Sequence, residues 1–167
     1  REVGFFAVAG HGIPAGELAA LDRLARDFFS LDPEEKSEIA MARSGRAWRG
    51  WFPLGAELTS GAPDRKAGLY FGTELAPDDP RVLSGRLLHG PNLFPRRPAA
   101  LGPAVLGWMA RMRTLAATLL RGMALGLSLD EDWFARELTA EPTELFRIFH
   151  YPPTTDGWGV GEHTDYG

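Results

Sequence analysis

The chain has no cysteine. A disulfide scaffold, a thiolate nucleophile and a cysteine-based zinc or iron–sulfur site are therefore excluded. Lysine is almost absent as well: of 18 basic residues only Lys36 and Lys66 are lysines, and the other 16 are arginines scattered along the chain. With 22 acidic residues the formal net charge is -4, so nothing draws the chain to nucleic acid or to an anionic membrane surface. Long hydrophobic runs are missing too. The longest uncharged stretches, residues 3–16 and 98–110, are too short and too interrupted by Gly and Pro to span a bilayer. The N-terminus lacks the basic, apolar and small-residue pattern of a secretion signal. A soluble domain in a reducing compartment is expected, with a cytoplasmic location, no nucleic acid and no membrane.

What is present is enough for a core. In 167 residues, 44% are hydrophobic, with five Trp and ten Phe, and only 24% are charged, the opposite of a disordered composition. Arg1 abuts an apolar run, and the last residues read as the start of a strand with no polar tail. The expectation is a piece cut at both ends.

Apolar periodicity divides the chain. Residues 3–8 read as a buried strand, followed by a Gly10-His11-Gly12-Ile13-Pro14 turn. From Glu17, the residues Leu18, Leu21, Leu24, Ala25, Phe28 and Phe29 recur at helical spacing. Asp32-Pro33-Glu34-Glu35 starts a short helix with an N-cap, Pro at the first position and acids in the first turn, ending near Met41. Residues 43–90 are irregular, with strands predicted near 48–52 and 67–71. A long helix is expected from Leu101, because Leu101, Val105, Met109, Met112, Leu115, Leu119, Met123 and Leu127 form a stripe that reads as core. Gly107, Gly122 and Gly126 weaken it, which a tight helix–sheet contact would explain. A short helix follows over 130–138. Residues 145–151 alternate as a strand until Pro152-Pro153 stops it. The pattern is α+β with an unfinished sheet.

The sharpest chemical signal is His163-Thr164-Asp165. On a strand His163 and Asp165 point to one side, presenting an imidazole and a carboxylate together. These make two-thirds of a 2-His-1-carboxylate facial triad, the usual ligand set of non-haem Fe(II) oxygenases. Taken alone, the spacing more often marks an exposed His and Asp at a strand end or turn. His11 and His89 read as structural hydrogen-bonding residues. His150 falls on the opposite side of its strand from Tyr151 and is not read as a ligand. Arg49 and Trp51 read as parts of a packed loop, with a substrate mouth as the other possibility.

Read as a whole, the chain resembles the isopenicillin N synthase-like family of Fe(II)/2-oxoglutarate-dependent dioxygenases. Gly4-Phe5-Phe6 with Gly10-His11-Gly12-Ile13-Pro14 is similar to that family's opening, and Phe28-Phe29 with Pro33-Glu34-Glu35-Lys36 to its next segment. Arg49-Gly50-Trp51-Phe52-Pro53, Gly68-Leu69-Tyr70-Phe71-Gly72 and His89-Gly90-Pro91-Asn92 resemble the middle of bacterial members. His150-Tyr151-Pro152-Pro153 stands where the family has its Tyr-Pro-Pro run, and residues 161–167 match its iron-ligand segment.

The resemblance implies a helical N-terminal region (residues 1–142) leading into an incomplete double-stranded β-helix, or jelly roll, whose first strands are residues 143–167. It implies Fe(II) as metal, with His163 and Asp165 as its first two ligands, and 2-oxoglutarate as cosubstrate, held in part by Tyr151. Tyr151 read by itself is equally an ordinary strand aromatic. Phe149 stands where many members have Asn, a departure from the family pattern at one customary cosubstrate contact. The family's third ligand, a distal His, and its Arg-x-Ser pair lie beyond the segment matched. The activity implied for the full-length parent is oxidation of a C–H bond of a small-molecule substrate with O2, giving succinate and CO2, and this piece alone is expected to be inactive. An iron oxidase of the same fold that does without 2-oxoglutarate, a non-catalytic binding domain and a metal-dependent hydrolase are the alternatives.

Overall fold

Residues 6–155 and 159–164 are described by the structure, a computed structural model. Among them, ten helices and strands run in the order α1 (Ala15–Phe29), α2 (Pro33–Ser37), β1 (Gly50–Phe52), β2 (Leu58–Thr59), β3 (Ala62–Pro63), β4 (Ala67–Gly72), α3 (Pro80–Leu83), α4 (Leu101–Gly126), α5 (Trp133–Glu137) and β5 (Leu145–His150), with a 3-10 segment at Met41–Ala47. The chain forms two compact units: Arg1–Arg23 with Pro103–Pro142, and Leu24–Gly102 with Thr143–Gly167. Helices α1 and α4 each begin in one unit and end in the other.

The first unit is helical. Val105, Met109 and Ala124 of α4 are buried, as is Leu21 of α1. Core burial does not follow the whole α4 stripe, because Met123 is 43% exposed and Leu127, just past the helix, 54%. Nor does a tight contact explain the helix glycines: a Cβ at Gly107, Gly122 or Gly126 would meet nothing within 4 Å. The strand expected over 3–8 is not formed at residues 6–8, and residues 1–5 lie outside the described ones.

The second unit holds the sheet, with strand order β1-β4-β5 and antiparallel pairing throughout. β4 is central and all six of its residues are buried. On one face Phe71 stacks with Phe94 and Phe146 at centroid distances of 5.6 and 6.4 Å, and Leu69 is fully covered. On the other face Tyr70 meets Trp48, Phe52 and Phe149 edge-on at 5.8, 5.3 and 6.2 Å. Gly68 makes room for this cluster, since a Cβ there would fall 2.4 Å from Phe52 Cζ and 3.0 Å from Phe149 Cδ1. In α2, Asp32 occupies the N-cap, yet its side chain makes no capping bond. That helix stops at Ser37, earlier than expected, and the chain passes into the 3-10 segment.

The β2–β3 hairpin was not visible in the composition of residues 43–90. Thr59 pairs with Ala62 across Ser60-Gly61, whose φ values of 51° and 80° are those of a type I′ turn. A bond from Asp64 N–H to Glu57 C=O at 2.8 Å extends the pairing by one residue on each side.

Candidate functional site

A cavity of about 810 Å³ opens in the second unit beside the Tyr70 face of the sheet. Its wall is built by β5 and the chain after it, by the β2–β3 hairpin, by β4 and by Trp48. Of the residues singled out in the sequence, Tyr151 and His163 both line it. Asp165 lies outside the described residues.

Alternation along β5 decides which side chains enter. Arg147 and Phe149 are two apart, so they share a face, and both line the cavity together with Tyr151 just past the strand end. Tyr151 is half exposed and its ring lies 6.0 Å from Phe149 edge-on. His150 points away, stacking on Phe29 at 5.2 Å. Of the other histidines, His11 accepts the Ile13 N–H at 3.1 Å and the His89 ring bonds Leu87 C=O at 2.8 Å, both local turn contacts.

The segment that carries His163 is fastened to the hairpin. Arg65 N–H donates to Gly159 C=O at 2.8 Å, and Ser60 Oγ donates to Glu162 C=O at 3.2 Å. His163 itself is exposed, with Nδ1 at 2.9 Å from Gly161 C=O. A carbonyl only accepts, so Nδ1 is the donor in this contact. An imidazole whose one N–H is tied to the backbone is the form in which histidine ligates metals. This donor suits a divalent iron. Among the described residues no group of three or more His, Asp or Glu stands together to hold a metal.

Beneath the cavity lies a charge network that sequence reasoning missed. Lys66, 8% exposed, bridges Asp64 Oδ2 at 2.9 Å and Glu57 Oε2 at 3.0 Å, and its Nζ stands 4.7 Å from the Phe149 ring centroid. Thr59 Oγ1 donates to Asp64 at 3.0 Å, and the Tyr70 phenol donates to Glu57. Burial pushes the Asp64 carboxyl up, but the bonds from Lys66 and Thr59, with the charges of Lys66 and His163, bring it below the usual carboxylate range. Burial opposes the Lys66 ammonium, and its two carboxylate partners more than offset that, raising its pKa. Tyr70 is pushed up to about 12, by burial first and then by the Glu57 bond, against a smaller opposite pull from Arg147. The signal that could have found this network was the Glu57–Asp64–Lys66 spacing around a two-residue turn.

Arg49, only 1% exposed, belongs to the packing of the same unit rather than to a substrate mouth. Its Nη2 donates to Leu88 C=O at 2.7 Å, and its guanidinium fills the space a Cβ on Gly72 would occupy. Burial lowers its pKa, with Glu74 opposing.

Comparison with known proteins places the chain. Residues 1–97 match the family model described as the non-haem dioxygenase in morphine synthesis N-terminal region. The chain belongs to the 2-oxoglutarate/Fe(II) oxygenase family, of which it carries the N-terminal region. It is 39% identical to a protein of Dictyostelium discoideum named as an iron/ascorbate oxidoreductase, with all of this chain covering 53% of that one. It is 33% identical to a homoarginine-6-hydroxylase of Oryza sativa subsp. japonica, covering 52% of it. The chain thus spans about half the length of these relatives. In fold it is similar to a 2OG-Fe(II) oxygenase family protein from Caulobacter crescentus, with a TM-score of 0.74 at 24% identity, over 90% of this chain and 48% of that one. A full-length Neurospora crassa protein, solved in complex with alpha-KG, gives 0.72 at 23% identity over 93% and 50%. The helices with an antiparallel sheet agree with the α+β expectation, and the neighbours with an incomplete jelly roll. Among the described residues no helix is long and apolar enough to cross a membrane.

Proposed function

We propose that this chain is the N-terminal part of an Fe(II)- and 2-oxoglutarate-dependent oxygenase acting on a small-molecule C–H bond. Residues 1–142 form its N-terminal region and residues 143–167 the start of its oxygenase core, with β5 as the strand among the described residues there. The observation that carries the reading is the convergence of His163 and Tyr151 on one cavity, in a chain whose family uses this metal and cosubstrate.

His163 and Asp165 would hold the iron, and a third ligand would come from beyond this chain. When bound, iron with 2-oxoglutarate supplies the oxidation of R–H by O2 to R–OH, with 2-oxoglutarate leaving as succinate and CO2. The Gly161 carbonyl holds the orientation of the His163 ring through Nδ1. The hairpin, through Arg65 N–H and Ser60 Oγ, holds the segment on which His163 sits. Tyr151 supplies one phenol O–H donor toward the cosubstrate carboxylate, a task it performs without the amide that Phe149 replaces. Trp48, Tyr70 and Phe149 give the cavity wall its aromatic surface.

The test is succinate formation by the full-length protein given Fe(II), 2-oxoglutarate and O2. His163→Ala and Asp165→Ala are each expected to abolish it along with tight iron binding. Iron binding undiminished in both variants would overturn the assignment.

A further inference from the structure

We infer that Trp48 is the specificity-determining residue of the cavity: its indole closes one end and limits the substrate to a short, flat, uncharged body. This deepens the oxygenase reading of the cavity and rests on it.

The backbone sets the indole in place before any ligand arrives. Trp48 has φ 55° and ψ 54°, a left-handed conformation that costs a bulky residue free energy. Its neighbours hold it there, since Ala47 and Arg49 are both buried. Ala47 packs so close to Gly90 that a Cβ on that glycine would fall 2.6 Å from the Ala47 Cβ. The Arg49 N–H donates to Ser44 Oγ at 2.7 Å, and its guanidinium is tied to Leu88 C=O. Between two residues held inward, Trp48 is turned outward and is 47% exposed, its ring edge-on to Tyr70. Strain maintained by the surroundings in this way is a feature of ligand sites.

The position of the indole gives it a role. A second cavity, of about 450 Å³, is lined by Met41, Trp51, Phe52 and Pro53. It adjoins the first, because Trp48, Ala56 and Glu57 line both. Ala56 carries only a methyl group, and the Glu57 carboxylate is engaged by Lys66 and Tyr70. The indole is therefore the large side chain that parts the two spaces. Within the first cavity, the rings of Trp48, Tyr70, Phe149 and Tyr151 favour a flat ligand. The formal charges of Glu57, Asp64, Lys66 and Arg147 cancel there, so the wall selects neither sign. An uncharged body loses least on leaving water for such a place.

The experiment uses two uncharged probes, 1-naphthylamine and the longer N-phenyl-1-naphthylamine. The full-length protein is loaded with Fe(II) and 2-oxoglutarate under nitrogen, and each probe is measured by equilibrium dialysis. The readout is the affinity for the long probe divided by that for the short one. Trp48→Gly is expected to raise this ratio roughly 10- to 100-fold, the range for burying one further phenyl ring. Glycine adopts the left-handed conformation freely, which favours folding of the variant. Trp48→Phe is expected to raise the ratio less, and serves if the Gly variant does not fold. A ratio unchanged in both variants would overturn the assignment. So would equal loss of both probes in Trp48→Gly, which would make the indole a stacking platform and not a partition. Failure of wild type and variants alike to bind either probe would also overturn it. 1-Naphthoate and 1-naphthylmethylammonium carry either charge on the same rings and are expected to bind wild type more weakly than 1-naphthylamine. Tighter binding of one of them would overturn the uncharged class. Succinate formation by the same wild-type preparation separates the two levels: its absence sinks the oxygenase reading, whereas the probe ratio judges Trp48 by itself.

Discussion

Tyr70 and Arg147 are direct partners in the β4–β5 register, and the pairing sets the guanidinium 5.7 Å from the phenol ring on the cavity side of the sheet. Below them Tyr70 also donates to Glu57, which ties the sheet to the hairpin through Lys66 and Asp64. One tyrosine thus joins the cavity wall to the charge network that supports it, and several outcomes follow.

Lys66→Met should destabilise the protein by about 3 kcal/mol, the cost typical of breaking a buried ion pair by removing one partner. Asp64 and Glu57 would then face each other without their shared cation. Urea unfolding at neutral pH measures this, and a loss below about 1 kcal/mol would show that water already neutralises the network.

Tyr70 should titrate near pH 12, against an ordinary value of 10.0. Its folded pKa is raised, so the unfolded chain loses the phenol proton first as pH climbs. The stability it contributes is therefore complete below pH 10 and disappears as pH rises from 10 through 12. Ultraviolet titration of phenolate absorbance checks the value, and Tyr70→Phe should remove the transition near pH 12.

Two glycines should respond to alanine in opposite directions. At Gly72 a Cβ would fall 1.9 Å from Arg49 Nη2 and 2.6 Å from Glu144 C=O, the second being backbone that cannot swing aside. Gly72→Ala should cost about 3 kcal/mol, at the upper end for an overpacked site. At Gly107, in α4, nothing lies within 4 Å, and Gly107→Ala should stabilise by roughly 0.5–1 kcal/mol through helix propensity. Thermal or urea melts of the two variants, side by side, decide the matter.

The 167-residue chain by itself should form no succinate when supplied with Fe(II), 2-oxoglutarate and O2, because the proposed pair His163 and Asp165 is one ligand short of a 2-His-1-carboxylate triad. Turnover by this chain alone, removed by His163→Ala, would show that its own residues complete the site.

Much of the helical part was legible in the sequence. The spacing from Leu18 to Phe29 and from Leu101 onward marked α1 and α4, since a 3.6-residue period is imposed by the backbone of one segment and needs no partner. β4 and β5 were likewise marked by runs of residues suited to strands, within a residue or two of their observed bounds. The exposed end of the α4 stripe was not legible, because period reports which residues share a face and not what covers it. The β2–β3 hairpin escaped notice because each strand is only two residues long and its order comes from Ser60-Gly61 and the Glu57–Asp64 bond.

By itself the sequence determined the kinds of chemistry open to this protein. It excluded cysteine chemistry, offered His163 and Asp165 at a ligand spacing, and set Arg147, Phe149 and Tyr151 two apart, so that alternation would bring their side chains to one side. What only the tertiary structure decided is which groups meet. Lys66 finds Asp64 two residues away but Glu57 across a turn, and Arg147 meets Tyr70 from 77 positions along the chain, since register sets them opposite each other. Charge balance in a cavity depends on such meetings, and they are fixed by strand pairing and burial, which no local pattern of residues records.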